Sequence, residues 1–90
     1  MSALQVLVIA EYPVIEEGLN YLLQDYADIE VVATANNHIE GLQQLRQRPI
    51  DVIVQDLSSA GLAGPEVIRL FLAEKPSLGV IEYSSRDDEV

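Results

Sequence analysis

Short aliphatic runs alternate with segments of helical periodicity along the whole of this 90-residue chain. Each run is rich in β-branched residues, which is typical of a buried strand. Four such strands are predicted, at residues 5–9, 30–35, 52–55 and 79–83. Because the runs alternate with helical segments, the sequence predicts a parallel sheet with right-handed crossovers in the order βαβαβαβ.

Three helices are predicted between the strands, from apolar spacing and from the residues at their ends. The first begins at Pro13 and runs to about residue 25, since proline suits a first helical turn. The second follows Asn37, which forms a capping-box pattern with Glu40, and the third begins at Gly64 and Pro65. The side chains predicted to face inward are Ile15, Leu19, Leu22, Leu23 and Tyr26 in the first helix, Ile39, Leu42 and Leu45 in the second, and Val67, Ile68, Leu70 and Phe71 in the third.

Charge and composition narrow the range of functions. Fifteen acidic residues against five basic ones give a net charge of -10, which opposes direct binding to nucleic acid or to an anionic membrane. The chain has no cysteine, so it has neither disulfides nor thiol chemistry. No apolar run approaches the roughly 18 residues of a membrane span, and no basic leader precedes one. We therefore expect a single cytoplasmic domain.

Two carboxylates end apolar strands. Glu11 follows the first strand and Asp56 follows the third. In open α/β sheets, ligands bind at the carboxyl edge of the strands. Two acids that converge there can hold a divalent cation or accept a phosphoryl group. The alternative for Asp56 is a carboxylate that caps loop amides and needs no phosphate.

Two polar residues of the third strand carry structural expectations. Asp51, at its start, is predicted to be a solvated turn residue. Gln55, just before Asp56, is polar within an apolar run, so its amide should find a hydrogen-bond partner if it is buried.

Five segments, taken in order, resemble a response-regulator receiver domain, the phosphoacceptor half of two-component signalling. They resemble its first strand and acidic pair, the helix that follows in receivers joined to helix-turn-helix output domains, its second strand, its phosphoacceptor strand and loop, and its fourth strand. These segments are residues 6–13, 17–19, 28–32, 51–57 with Gly61 and Gly64, and 80–85. The resemblance implies a flavodoxin-like, doubly wound parallel sheet of strand order 2-1-3-4 that lacks the last helix-strand-helix portion.

The resemblance also implies roles for individual residues. Asp56 would accept the phosphoryl group, and Glu11 would be the surviving member of the acidic pair that holds Mg2+. The backbone carbonyl of Ser58 would be a further metal ligand, and the hydroxyl of Ser84 would turn towards the bound phosphoryl group. The implied partner is a histidine kinase or a small phosphodonor, and the implied context is transcription regulation. Such a domain is not an enzyme beyond its own phosphorylation.

Several positions depart from the family pattern. Ala10 stands where the first acid of the pair is usual, Tyr12 where His is frequent, and Ala60 where the loop usually has Pro. The only lysine, Lys75, does not match the family's lysine on a fifth strand. These departures favour an alternative, a pseudo-receiver that acts by protein-protein contacts with lost or weakened phosphorylation. A third possibility, a cofactor-binding enzyme of flavodoxin-like architecture, has only the fold in its favour.

The sheet is expected to be incompletely covered. Residues 1–90 form a single, incomplete receiver-like domain in which three helices must cover four strands, so one face keeps a single helix and the fourth strand is a bare edge. We expect either a piece of a larger domain or a chain that completes itself by pairing. The alternative is a small domain with a partly exposed face. Self-association into a homodimer or a larger assembly is predicted through the fourth strand or the under-covered face.

Overall fold

The computed structural model describes residues 3–56 and 64–83 of the chain. Their elements, in order, are β1 (Leu4–Ile9), α1 (Pro13–Leu23), β2 (Ile29–Ala35), α2 (His38–Gln47), β3 (Val52–Asp56), α3 (Gly64–Glu74) and β4 (Gly79–Tyr83). All neighbouring strands are parallel, in the order β2-β1-β3-β4. The predicted element order and strand order are therefore confirmed, with boundaries that differ by one or two residues.

Each face of the sheet carries its own apolar cluster. Because strand side chains alternate between faces, β1 contributes Leu7 and Ile9 to one cluster and Val6 and Val8 to the other. The first cluster lies beneath α2 and α3, and its buried members are Leu7, Ile9, Ala35, Leu45, Ile50, Ile53, Val67, Phe71 and Leu78. The second lies beneath α1, and its buried members are Val6, Val8, Leu19 and Val54. Among the described elements, two helices thus cover one face and one helix covers the other, as expected.

Four of the side chains predicted to face inward are instead exposed. They are Leu22, Tyr26, Ile39 and Leu70, with exposures between 43% and 60%. The reason is geometric, since a helix that meets only one layer buries a stripe of its surface and leaves flanking apolar residues in solvent. Tyr26 also lies beyond the end of α1 at Leu23.

The predicted cap of α2 is confirmed. The side-chain oxygen of Asn37 accepts a hydrogen bond from the backbone N–H of Glu40 at 2.9 Å. The Glu40 carboxylate in turn accepts from the backbone N–H of Asn36, also at 2.9 Å, one residue earlier than in the usual capping box. Together these bonds fix the first turn of α2 immediately after β2.

Asp51 is exposed, as predicted, but it is also a junction of three strands. Its carboxylate accepts a hydrogen bond from the Gln5 N–H at 2.8 Å, and its own N–H donates to the Gln5 carbonyl at 2.8 Å. Its carbonyl accepts from the Gly79 N–H at 3.0 Å. Asp51 thus joins the amino ends of β1, β3 and β4 and helps to set the register that positions the opposite, carboxyl edge.

Candidate functional site

Asp56 is the last residue of β3 and is only 2% exposed, the one buried charged residue in the part of the chain that the structure describes. Burying a carboxylate is costly unless neighbouring groups satisfy it. The strand around it is apolar, and β3 lies between β1 and β4 in the sheet. The chain therefore keeps a buried carboxylate at the carboxyl end of a central strand.

Glu11 lies near this edge, on the neighbouring strand. In the parallel pairing of β1 with β3, Ile9 is opposite Gln55. One step further along both chains brings Ala10 level with Asp56, and Glu11 follows directly. Glu11 is exposed, so its side chain is accessible from solvent. The two acids thus emerge from adjoining strands at one edge, and their roles stay predictions.

Ala10 is the most informative departure in the site. It is fully buried and, by strand alternation, lies on the α1 face of the sheet with Val8. Asp56 lies on the same face, because Val54 belongs to the α1 cluster and Asp56 is two positions further along the strand. Ala10 therefore places a methyl group level with Asp56 and on the same face, where the resemblance to receivers implies an acid.

Gln55 contradicts the expectation that its amide would be satisfied. Its side-chain oxygen is buried, and no described residue donates a hydrogen bond to it. Gln55 points to the opposite face from Asp56, towards the α2 and α3 side of the sheet. The amide thus lies one residue from the candidate site but does not line the same face.

The remaining predicted site residues lie elsewhere. Ser58, Ser84 and Ala60 fall outside the described residues. Tyr12 precedes α1 and is half exposed. The Lys75 ammonium donates a hydrogen bond to the carbonyl of Ile50, which precedes β3, so this cation lies at the amino edge, away from Asp56.

The number of carboxylates at this edge is compatible with the binding of Mg2+. Among residues 3–56 and 64–83, no group of three or more acidic, histidine or cysteine side chains could hold a metal ion. Magnesium usually takes one or two carboxylates and completes its octahedron with water and phosphate oxygens. Glu11 and Asp56 are two carboxylates at the carboxyl ends of adjoining strands, which is within this usual number.

A family model described as the response regulator receiver domain matches residues 6–90. The chain is 37% identical, over 93% of its length, to a protein-glutamate methylesterase/protein-glutamine glutaminase of Nitrosospira multiformis. It is 33% identical, also over 93% of its length, to the transcriptional regulatory protein MctR of Rhizobium johnstonii. The chain spans only 24% and 39% of the lengths of these two relatives.

Solved structures share the fold. The RcsB response regulator of Salmonella typhimurium superposes with a TM-score of 0.85 at 21% identity, covering 97% of this chain and 45% of that one. The isolated REC domain of RcsB from Salmonella enterica serovar Typhimurium, in the presence of phosphomimetic BeF3-, gives 0.85 at 20% identity, covering 97% of this chain and 65% of that one. At such identities the likeness establishes the architecture alone.

Proposed function

We propose, because this chain belongs to the response regulator receiver domain family, that it accepts a phosphoryl group on Asp56 and transmits that state through protein contacts. The observation that carries the proposal is the burial of Asp56, at 2% exposure, where β3 ends beside β1. A receiver is a signalling domain and, apart from its own phosphorylation, not an enzyme. The methylesterase named above carries its activity in a protein of which this chain spans 24%.

The proposed reaction transfers a phosphoryl group from a histidine kinase or a small phosphodonor. A carboxylate oxygen of Asp56 bonds to phosphorus, the bond from phosphorus to the donor's nitrogen or oxygen breaks, and the donor leaves with the electron pair. Such transfer asks the protein for positioning and charge neutralisation rather than covalent work. The buried end of β3 supplies the positioning, since the strand is fixed on both sides by parallel neighbours.

Glu11, Asp56 and the backbone carbonyl of Ser58 are the proposed ligands of Mg2+. When bound, this ion supplies the positive charge that offsets the phosphoryl oxygens. Ser84 is the proposed switch residue, whose hydroxyl would turn towards the phosphoryl group. Both serines carry these roles by resemblance to the family.

A pseudo-receiver is the second candidate, and two observations favour it. The methyl of Ala10 lies level with Asp56, which removes one acid from the pair. The ammonium of Lys75 could balance charge at the site, but it instead donates a hydrogen bond to the Ile50 carbonyl at the amino edge of the sheet. On this alternative the fold is kept as an interaction module and Asp56 stays unmodified.

The two candidates are separated by incubation with acetyl phosphate and Mg2+, followed by intact-protein mass spectrometry. We expect a gain of one phosphoryl group that depends on Mg2+ and is lost in Asp56→Asn. The matched control is Asp51→Asn, at the other end of the same strand, whose new amide oxygen can still accept the Gln5 N–H. No mass gain in the wild-type protein would overturn the receiver proposal and favour the pseudo-receiver.

Self-association is proposed through the face that α1 alone covers. Apolar side chains remain exposed there, among them Ile81 at 56% and Val14 at 73%. One solved structure that the chain resembles is described as two RcsB dimers bound to two parallel DNAs. Sedimentation velocity at tens of micromolar should show a dimer or larger species that Ile81→Lys weakens, and a clean monomer would contradict this.

Two other expectations stay predictions. No helix among the described residues is long and apolar enough to cross a membrane, and a cytoplasmic location is proposed from the family. The expectation of no direct contact with nucleic acid rests on the charge of -10. The comparisons give it no support, because one neighbour is described as an RcsB-DNA complex.

A further inference from the structure

The outer edge of β2 borders an open groove that the proposed phosphoacceptor chemistry does not use. Among the described strands, β2 pairs only with β1, so its other edge carries backbone groups without a strand partner. A groove of about 540 Å³ runs along this edge beneath the last turns of α1. Its lining comprises Asn20, Leu23 and Gln24 of α1 and the consecutive residues Ile29, Glu30, Val31, Val32, Ala33 and Thr34 of β2.

The hydrogen bonds of β2 show which backbone groups face the groove. The carbonyl of Asp28, just before β2, accepts from the Leu4 N–H at 2.9 Å, and that of Ala35 accepts from the Ala10 N–H, just after β1, at 3.0 Å. Because backbone groups alternate along a strand, those of Ile29, which follows Asp28, and of Thr34, which precedes Ala35, point away from β1. The unpaired edge of β2 can therefore form backbone hydrogen bonds with an added extended segment, as in β-augmentation.

A second observation points to a ligand at the same place. Asn20 is one of the residues that line the groove, and its buried side-chain oxygen receives no hydrogen bond from any described residue. A buried acceptor without a donor carries a free-energy cost. An incoming segment that brings an N–H or an ammonium to this oxygen would recover that cost.

The charge of the groove indicates what kind of polypeptide segment it binds. Glu30 is exposed within the lining, Asp25 and Asp28 lie beside it in sequence, and no basic residue lines the groove. The lining also includes the half-buried apolar side chains of Leu23 and Ile29. We propose that the groove binds an extended, basic polypeptide segment whose alternate residues are apolar, adding it to β2 as a fifth strand.

A second copy of this chain fits the groove less well. An in-register copy would place Glu30 opposite Glu30, and like charges that face each other across strands are destabilising. Between Val6 and Leu7 of β1, the paired residue on β2 jumps from Val31 to Ala33, so Val32 forms a bulge. A bulge bends an edge strand and opposes long, flat pairing between identical strands.

The test uses a fluorescein-labelled peptide of alternating lysine and valine, matching the seven residues of β2, with a glutamate-valine peptide as the control. Fluorescence anisotropy should show saturable binding of the basic peptide only. Glu30→Lys should weaken binding by roughly tenfold, equivalent to about 1.4 kcal/mol. Glu17→Lys, an exposed residue of α1 outside the groove lining, makes the same charge change and should have little effect.

Asn20→Ala separates a binding role from a structural one. This variant removes an unsatisfied buried oxygen, so its melting temperature should equal or exceed that of the wild type while its affinity for the basic peptide falls.

Equal weakening by Glu30→Lys and Glu17→Lys, equal binding of the acidic peptide, or no binding would each overturn the proposal. So would a dimer that Glu30→Lys dissociates, because the occupant would then be a second copy.

Discussion

Replacement of Phe71 by alanine is expected to lower the free energy of unfolding by about 3 to 5 kcal/mol. Phe71 is fully buried and is the largest of the fully buried side chains among the described residues. It belongs to the cluster between α3, α2 and the sheet. A domain of this size has a total stability of about 5 to 15 kcal/mol, so the loss removes a large share of it.

The core around Phe71 cannot readily relax into the cavity that the Phe71→Ala substitution would leave. Gly41 brings α2 close to β1, since a Cβ there would lie 2.6 Å from the Ile9 Cδ1 and 3.6 Å from the Phe71 Cζ. The helix already touches the sheet, so it cannot move inward to fill the space that the ring leaves. Cavities that cannot relax carry the larger penalties within the observed range.

Urea denaturation followed by circular dichroism measures this effect through the transition midpoint and slope. Leu72→Ala is the matched control, because Leu72 is the next residue of α3 and is 36% exposed. We expect a clearly smaller loss there. Similar midpoints for the two variants would contradict the assignment of Phe71 to the core.

Local patterns were sufficient to predict the elements and the site edge, because both depend on short-range signals. Strand runs and helix ends can be read from neighbouring residues, and a carboxylate that follows an apolar strand necessarily lies at the sheet edge. The capping of α2 by Asn37 is equally local, and the structure confirms it.

The wrong predictions, and the features that were not predicted at all, concern properties that depend on how distant elements meet. Leu70 and Ile39 have helical spacing with their inward neighbours, but the width of the buried stripe is set by the layer beneath. Asp51 joins three strands only because of their register. The unsatisfied oxygen of Asn20 depends on how the end of α1 lies over β2, which no local pattern records.

Replacement of Ala10 by aspartate is expected to make folding strongly dependent on Mg2+. Position 10 is fully buried and level with Asp56 on the next strand, about 4.8 Å away in a parallel sheet. Without a cation, the new carboxylate is buried beside another, and the variant should lose roughly 3 kcal/mol or more of stability. With Mg2+ at one hundred times its dissociation constant, metal binding raises the free energy of unfolding by about 2.7 kcal/mol.

Thermal unfolding with and without MgCl2 measures this coupling, and a refolding titration with Mg2+ reports it even if the variant is unfolded without the ion. Ala10→Asn is the matched control, since it has the same shape but no charge and should respond to Mg2+ no more than the wild-type protein does. The Ala10→Asp, Asp56→Asn double variant should lose most of the response, because one of the two facing carboxylates is gone. If Ala10→Asp instead melts at the same temperature with and without Mg2+, then position 10 does not face the Asp56 carboxylate, and the missing acid is not what limits metal binding at this edge.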